Sequence, residues 1–335
     1  MIRESIQQLI DGEHLTHDTA KAVMDEIMSG ACTQAQIGCF LTALRLKGET
    51  VDEISGFAAV MRAKATSIDG GADVIDTCGT GGDAHGTFNI STAAALVAAA
   101  AGVKVAKHGN RSVSSSSGSA DVLQELGVNI EAEVNRVEEC IREAGIGFLF
   151  APRLHASMKH AIGPRREIGI RTVFNILGPL TNPAGAKRQL LGVYAPDLAP
   201  VMAEVLNSLG STRAMVVHGH DGLDEITLSD ETTVAELKDG TVTEAVIAPD
   251  DFGMPRASLE MLRVRDVQES AAVILDIFSG STGPARDITI LNAAAAIVVA
   301  GRAEDMMAGT DAAARMIDDG HAQQTLDKLV EVSNR

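Results

Sequence analysis

The 335-residue sequence has no tryptophan, one tyrosine and eight phenylalanines. Proteins that bind single-stranded nucleic acids stack the bases on aromatic side chains, and this chain has few of them. Basic residues are also scarce, because 28 lysines and arginines stand against 45 aspartates and glutamates, for a formal net charge of −17. Such a charge repels polyanions at long range. We therefore expect no nucleic-acid partner.

Cysteines and long apolar runs are limited too. The four cysteines, at positions 32, 39, 78 and 140, form no CxxC pair and no Cys/His cluster. This spacing argues against a disulfide framework and against a zinc site. The longest apolar run, Ala93 to Val103, is too short to cross a bilayer, and the N-terminus lacks the pattern of a signal peptide. We expect a cytoplasmic protein with no membrane segment.

The first seventy residues have the pattern of helices alone. Thr33 with Gln36, and Thr50 with Glu53, match the capping box, in which two side chains satisfy the free amides of a helix start. From Val74 onward, short apolar segments alternate with longer helical ones, as in βα units that build a mostly parallel sheet. The predicted strands are 74–76, 103–106, 147–150, 190–194 and 214–218. The predicted helices between them are 91–101, 121–126, 137–144 and 200–209, and two alanine-rich helices follow at 289–301 and 303–317.

These patterns predict an α/β protein with a small N-terminal helical domain and a larger α/β domain around a mostly parallel central sheet. We expect residues 1–70 to form the helical domain. The stretch 158–175 is helical and basic, unlike its surroundings, and we expect about 160–185 to return to that domain. Residues 71–159 and 186–335 would then form the α/β domain.

A glycine-rich turn, Asp76-Thr-Cys-Gly-Thr-Gly-Gly-Asp83, follows the first predicted strand. Glycines allow backbone N–H groups to approach an oxyanion closely, and the start of the next helix favours negative charge. Asn89, Ser91 and Thr92 add an amide and two hydroxyls at that helix start. The pattern favours phosphate binding, although a tight strand-to-helix turn with a simple helix cap would use the same residues.

A basic and serine-rich segment, from Lys107 to Ser119, follows the next predicted strand and reads KHGNRSVSSSSGS. Cations can neutralise an anion while hydroxyls and amides shape the pocket around it, so a pyrophosphate would suit this segment. A flexible serine-rich linker, a solvated Lys107 and a loop histidine at His108 are the alternatives.

Carboxylates mark a third segment, His218 to Ile226, where Asp224 and Glu225 are adjacent. Mg²⁺ commonly binds through one or two carboxylates, waters and substrate phosphates. The two histidines of this segment have no third soft ligand nearby, which disfavours zinc. Two acids on a solvated surface loop are the alternative.

The basic helix offers arginines in the segment Gly163 to Arg171. Arg165 or Arg166 could bind a carboxylate in a bidentate manner, unless these side chains only face solvent. The sequence shows no GxSxG motif and no convincing pair of nucleophile and base. Catalysis by positioning and charge stabilisation is therefore favoured over covalent catalysis.

These segments together resemble the anthranilate phosphoribosyltransferase family, in the same order along the chain. They are DTCGTGGD (76–83), FNIST (88–92), KHGNRSVSSSSGSADVLQELG (107–127), IGIRTVFNILGPLTNP (168–183) and HGHDGLDE (218–225). The resemblance implies a Mg²⁺-dependent transferase of tryptophan biosynthesis, with anthranilate and 5-phosphoribosyl-1-diphosphate (PRPP) as substrates. It also implies an active-site cleft between two hinged domains, and a homodimer formed through the helical domains.

Two other functions remain open beside this resemblance. The related pyrimidine nucleoside phosphorylases share the architecture but differ at the glycine-rich turn and the serine-rich loop. A non-catalytic relative that binds other polyanions would be expected to have lost its metal carboxylates, and Asp224 and Glu225 are present.

The resemblance implies a set of site residues as well. For PRPP these are Gly79, Gly82, Asp83, Thr87, Asn89, Ile90, Ser91, Thr92, Lys107, His108, Gly109, Asn110, Arg111, Ser112, Val113, Ser114, Ser115 and Ser119. Gly79, Asn110 and Arg165 would receive anthranilate, and alignment of the IGIRT segment selects Arg165 over Arg166. Ser91, Asp224 and Glu225 would bind Mg²⁺. Lys107, Asn110 and Arg165 are the expected catalytic residues.

Overall fold

The computed structural model of the protein describes residues 1–82, 85–111 and 118–335. The predictions for Asp83, Ser112, Val113, Ser114 and Ser115 therefore lie outside the described residues. Among the helices of the described part, none combines the length and the apolar character needed to cross a bilayer.

Four helices open the chain: α1 (Ile2–Ile10), α2 (His17–Met28), α3 (Gln34–Lys47) and α4 (Val51–Lys64). Both predicted capping boxes form. The Thr33 hydroxyl accepts the N–H of Gln36 while the Gln36 side chain accepts the N–H of Thr33. Thr50 and Glu53 do the same at the start of α4. Local sequence thus sets where these helices begin.

Seven strands form one sheet: β1 (Ile75–Gly79), β2 (Val105–Gly109), β3 (Ile146–Phe150), β4 (Arg188–Gly192), β5 (Arg213–Gly219), β6 (Thr232–Lys238) and β7 (Thr241–Ile247). Their order is β3-β2-β1-β4-β5-β6-β7. The first five strands are parallel, and β6 and β7 are antiparallel additions. The predicted fold class is confirmed, and all five predicted strands overlap β1 to β5.

Strands β6 and β7 were not predicted. They form a hairpin whose two turn residues, Asp239 and Gly240, both have positive φ, at 50° and 80°. An Asp-Gly pair favours this turn because it fits the twist of the flanking strands. The hairpin extends the sheet beyond β5.

The helices that follow the bundle are α5 (Ile90–Ala100), α6 (Ser119–Glu125), α7 (Val134–Glu143), α8 (Ala151–Leu154), α9 (Lys159–Ile168), α10 (Phe174–Leu177), α11 (Leu198–Ser208), α12 (Val267–Phe278), α13 (Pro284–Val299), α14 (Met306–Asp318) and α15 (His321–Ser333). The predicted helices correspond to α5, α6, α7, α11, α13 and α14. Helices α5 and α13 pack together and are buried along most of their length, which makes them the centre of the larger apolar core.

The basic helix α9 and the short α10 pack against the N-terminal helices. Ala161, Phe174 and Leu177 belong to the same apolar cluster as Phe40 and Phe57 of the helical bundle. The strand order also reverses beside β1, because the chain runs from β1 to β2 and β3 on one side and then to β4 and β5 on the other. In open α/β sheets, ligands bind outside the carboxyl ends of the strands at such a point.

Candidate active site

Four of the parallel strands end in glycine: Gly79 on β1, Gly109 on β2, Gly192 on β4 and Gly219 on β5. A Cβ at any of these positions would come too close to neighbouring atoms. A Cβ at Gly79 would lie 2.5 Å from Oδ2 of Asp224, and one at Gly192 would overlap the backbone carbonyl of Asp224. The glycines therefore allow the loop that carries Asp224 to lie directly on the ends of β1 and β4.

The glycine turn, residues 79–82, is tied to its surroundings by backbone groups. The Thr80 N–H donates to the Gly192 carbonyl at 2.9 Å, and the Gly81 N–H donates to Oδ2 of Asp224 at 2.8 Å. On the other side, the Arg171 guanidinium donates to the Gly82 carbonyl. The turn thus joins the sheet edge to the segment that follows the basic helix.

Asn89 caps helix α5. Its Oδ1 accepts the Thr92 N–H at 3.1 Å and lies 3.4 Å from the Ser91 hydroxyl, so neither Ser91 nor Thr92 is the capping residue. The side chains of Ile90 and Thr92 are buried, whereas Ser91 is half-buried. Of these helix-start side chains, Ser91 is the one that meets Lys107.

Lys107 lies on β2 with 1% of its surface exposed. Its Nζ donates to the Thr77 carbonyl at 2.6 Å and to the Ser91 hydroxyl at 3.2 Å. Burial lowers the pKa of Lys107, while the negative charges of Asp76 and Glu225 raise it. The alternative of a solvated surface lysine is therefore wrong.

His108 is buried as well and forms a pair with His155. Their Nε2 atoms are 3.1 Å apart. Burial lowers the pKa of His108 to about 3 and that of His155 to about 4, so both rings are neutral at pH 7. The backbone N–H of His108 donates to Oδ1 of Asp76, a carboxyl whose pKa burial raises to about 6.

The residues predicted to bind PRPP that directly follow β2 make contacts with α6. The Asn110 carbonyl accepts the N–H of Ala120, and the Ser119 hydroxyl lies 3.5 Å from it. Arg111 is an ion-pair partner of Asp121 at 2.7 Å, on α6. Thr87 forms an isolated antiparallel bridge with Arg263.

The acidic loop, residues 220–226, carries Asp224 and Glu225. Asp221 shapes this loop by accepting the Leu223 N–H at 3.1 Å and the Thr227 hydroxyl at 2.5 Å. Glu225 lies close enough to Lys107 to affect its pKa. A buried cation and two carboxylates therefore meet at the glycine-lined edge.

The donor set at this edge fits Mg²⁺ better than a softer metal. Within 1–82, 85–111 and 118–335, no group of three or more His, Cys, Asp and Glu side chains could hold a metal ion. Asp224 and Glu225 are hard oxygen donors, and Mg²⁺ completes its coordination with waters and substrate phosphates. Zinc, which takes three or four protein ligands, finds no such set among these residues.

Arg165, on α9, is half-buried and its guanidinium lies 5.1 Å from the centre of the Phe174 ring. Burial lowers the pKa of Arg165. Within the described part of the chain, this guanidinium has no hydrogen-bond acceptor and no acidic partner. The neighbouring Arg166 is exposed.

The sequence motifs did not assign a role to several residues of this region. His155 completes the buried histidine pair, and Arg171 stacks on the Tyr194 ring at 4.3 Å. Arg171 lies inside the quoted IGIRT segment, so its position was visible although its contact was not. The pairing of His155 had no signal in the sequence.

Comparison with known proteins identifies the family of the chain. The family described as "Glycosyl transferase family, a/b domain" matches residues 71–323, and "Glycosyl transferase family, helical bundle domain" matches residues 3–65. The curated anthranilate phosphoribosyltransferase of Acetivibrio thermocellus is 54% identical and covers 100% of this chain and 97% of its own length. The chain belongs to the anthranilate phosphoribosyltransferase family.

Other members of the anthranilate phosphoribosyltransferase family extend the comparison to structures. The crystal structure of the enzyme from Thermus thermophilus has a TM-score of 0.94 and 42% identity over 99% of each chain. The enzyme from Saccharomyces cerevisiae in complex with PRPP and Mg has a TM-score of 0.90 and 27% identity, over 99% of this chain and 98% of that one. The expected fold and family are thus confirmed.

Proposed function

We propose that the protein transfers the 5-phosphoribosyl group of PRPP to the amine of anthranilate, giving N-(5-phosphoribosyl)anthranilate and diphosphate in tryptophan biosynthesis. Family membership over the full chain supports this reaction. The main structural support for this reaction is that buried Lys107 and the carboxylates of the acidic loop meet at an edge where four strands end in glycine. Cations and carboxylates together suit a diphosphate bound with Mg²⁺.

PRPP would occupy the carboxyl edge of β1, β2 and β4. Lys107 faces the diphosphate from the sheet, and the start of α5 adds its dipole to the negative charge that develops on the leaving group. Ser91, Asp224 and Glu225 would hold Mg²⁺, which supplies a positive charge that stabilises the departing diphosphate. The other PRPP residues, Gly79, Gly82, Asp83, Thr87, Asn89, Ile90, Thr92, His108, Gly109, Asn110, Arg111, Ser112, Val113, Ser114, Ser115 and Ser119, remain proposals.

Anthranilate would lie between the sheet edge and the basic helix, with its carboxylate on Arg165. A half-buried guanidinium without an acidic partner in the described residues gains most from an added carboxylate. Asn110 and Gly79 complete this proposed subsite. Arg166 is exposed and therefore a poorer choice.

The chemistry needs little from the protein beyond positioning. The aromatic amine of anthranilate is neutral at pH 7, so it can attack C1 of the ribosyl group without prior loss of a proton. The new C–N bond forms as the C–O bond to diphosphate breaks, with inversion at C1, and the nitrogen then releases one proton to solvent. Lys107 stabilises the leaving group, and Arg165 and Asn110 orient the nucleophile.

Anthranilate fluorescence tests the proposed reaction. Mixing the purified protein with anthranilate, PRPP and Mg²⁺ should abolish the fluorescence of free anthranilate, and each of the three components should be required. Phosphate-dependent cleavage of thymidine or uridine, with anthranilate fluorescence unchanged, would instead support a pyrimidine nucleoside phosphorylase. No reaction of either kind would support a non-catalytic relative.

We also propose that residues 1–70 and about 160–185 form a helical domain, and that 71–159 and 186–335 form the α/β domain. The chain is proposed to form a homodimer through the helical domain. Leu46 on α3 is 84% exposed and Ile10 on α1 is 65% exposed, on helices that pack together. Exposed apolar side chains that together form a patch can mark an interface. Leu46→Glu should shift the mass in solution from dimer to monomer, whereas Leu275→Glu, at an exposed leucine on α12, should not.

A cytoplasmic location is proposed on chemical grounds. All four cysteines are free, at positions 32, 39, 78 and 140. Free cysteines are typical of proteins in reducing compartments.

A further inference from the structure

We infer that Asn292, a buried residue of α13, is a positioning residue that holds the acidic loop in place for metal binding. Asn292 is outside every motif of the sequence analysis and outside the residues proposed to bind substrate. It lies in the apolar centre of α13, where its side chain is fully buried. This role rests on the proposed function, because it concerns the site of Asp224 and Glu225.

A buried amide among apolar side chains must find hydrogen-bond partners, or it destabilises the fold. The Asn292 amide finds three. Its Oδ1 accepts the Ile226 N–H at 2.9 Å, and its Nδ2 donates to the Ile226 carbonyl at 2.9 Å and to the Ile288 carbonyl at 3.0 Å. One side chain thus satisfies both the N–H and the C=O of Ile226.

Ile226 needs this pairing because it lies outside the sheet. Strand β5 ends at Gly219 and β6 begins at Thr232, so the loop between them has no strand ladder to satisfy its backbone. The Ile226 side chain is buried in the core. A buried N–H and C=O left without partners would each cost about 1–3 kcal/mol.

The position of Ile226 determines that of the two carboxylates. Glu225 and Asp224 directly precede Ile226, and the opposite side of the loop is held by the Gly81 N–H, which donates to Asp224. The loop is therefore fixed between α13 on one side and the ends of β1 and β4 on the other. Removing the Asn292 side chain breaks the attachment of the loop to α13 and lets the carboxylates move.

The test compares Asn292→Leu, which keeps the branching at Cγ but makes no hydrogen bonds, with Thr289→Val as a matched control. Thr289 is buried on the same helix, and among the described residues its hydroxyl donates only to the Ala285 carbonyl of its own helix, at 2.7 Å. Mn²⁺ serves as the probe, because electron paramagnetic resonance distinguishes bound from free ion. The measurement is Mn²⁺ binding in the presence of PRPP, without anthranilate and without turnover.

Asn292→Leu should bind Mn²⁺ about tenfold more weakly or worse, as is typical when a residue that orients metal ligands is lost. Hydrogen exchange at the Ile226 amide should also accelerate. Thr289→Val should keep wild-type values in both measurements. In steady-state assays the Mg²⁺ concentration for half-maximal rate should rise, while the KM for anthranilate should change less than about twofold, since Arg165 lies on another element.

Wild-type Mn²⁺ affinity in a folded Asn292→Leu variant would overturn the inference, as would an equal loss in Thr289→Val. If Asn292→Leu does not fold, Asn292→Ala takes its place, because it leaves room for water to bond Ile226. Failure of both variants to fold would assign Asn292 to stability alone and overturn the positioning role.

Asp224→Asn separates this inference from the proposed function. If the wild type binds Mn²⁺ with PRPP and Asp224→Asn does not, the metal site stands and the Asn292 variants judge the positioning role alone. Absence of Mn²⁺ binding by the wild type would contradict the metal site, and the positioning role with it.

Discussion

Two of the cations proposed to bind substrate, Lys107 and Arg165, are held in opposite ways. Lys107 is buried on the sheet, and the Thr77 carbonyl and Ser91 hydroxyl fix its ammonium group in the absence of any ligand. Arg165 is half-buried on a helix that packs against the bundle, and among the described residues its guanidinium has no acceptor. The proposed diphosphate half of the site would therefore be preorganised, whereas the proposed anthranilate half would be completed by its ligand.

Loss of Lys107 should have the largest effect. Lys107→Met should lower kcat/KM by about a thousandfold, because a preorganised charge near the leaving group acts mainly in the transition state. The melting temperature should change little, since the change removes a charge whose burial is unfavourable but also removes the hydrogen bond to the Thr77 carbonyl. Steady-state kinetics and thermal unfolding check both expectations.

Lys104→Met is the matched control for Lys107. Lys104 lies just before β2, and its Nζ donates to the Ile141 and Arg142 carbonyls at the end of α7. This variant should lose some stability and keep its activity. Equal losses of activity in the two variants would mean that Lys107 has no special place in catalysis.

Arg165→Ala should have a smaller and more selective effect. The KM for anthranilate should rise about tenfold to a hundredfold, the cost of losing a hydrogen bond to a charged group. The KM for PRPP should change less than about twofold, because PRPP is proposed to bind on the sheet edge. Initial rates with each substrate varied in turn provide the measurement.

Arg166→Ala sharpens this comparison, since Arg166 is the exposed neighbour of Arg165 on α9. It should leave both KM values unchanged. The reverse pattern, with Arg166 controlling the KM for anthranilate, would show that the wrong arginine has been assigned.

In the buried histidine pair, His155 should affect stability only, and only at low pH. The folded-state pKa of His155 is about 4, below its ordinary value near 6.5, so its contribution is fully present above pH 6.5 and is lost as pH falls towards 4. Between pH 7 and pH 5 this loss amounts to about 2 kcal/mol. Asp76, with its pKa raised to about 6, acts in the opposite direction, because its contribution is present at low pH and is lost as pH rises through 6.

His155→Gln should therefore flatten the fall in unfolding free energy between pH 7 and pH 5, as measured by urea denaturation. His321→Gln, at an exposed histidine on α15, should keep the wild-type pH dependence. If the two variants had the same pH profile as the wild type, burial of His155 in its neutral form would be contradicted.

Much of the fold was predictable because the signals for it are local. The capping boxes at Thr33 and Thr50 lie within four residues of sequence, and each βα unit carries its own apolar pattern. The β6–β7 hairpin was missed although the Asp239-Gly240 pair, a strong hairpin signal, lies between its strands.

The sequence predicted each part of the candidate site separately, because each motif directly follows its own strand. The partners of these motifs were not predictable, since they come from distant parts of the chain. His155 lies 47 residues from His108, Asn292 lies 66 from Ile226, and Arg171 lies 89 from Gly82. Parallel strand order brings such residues together, and no local pattern indicates which of them will meet.

The central claim is that the carboxyl edge of the sheet binds PRPP through Lys107 together with a metal held by Asp224 and Glu225. Isothermal titration of the wild-type protein with PRPP, with Mg²⁺ and then with a chelator, tests it most directly. The account predicts tight binding with Mg²⁺ and no need for anthranilate, and a large loss of affinity with the chelator, because two carboxylates would then face the diphosphate unscreened. Equal affinity under both conditions would contradict it.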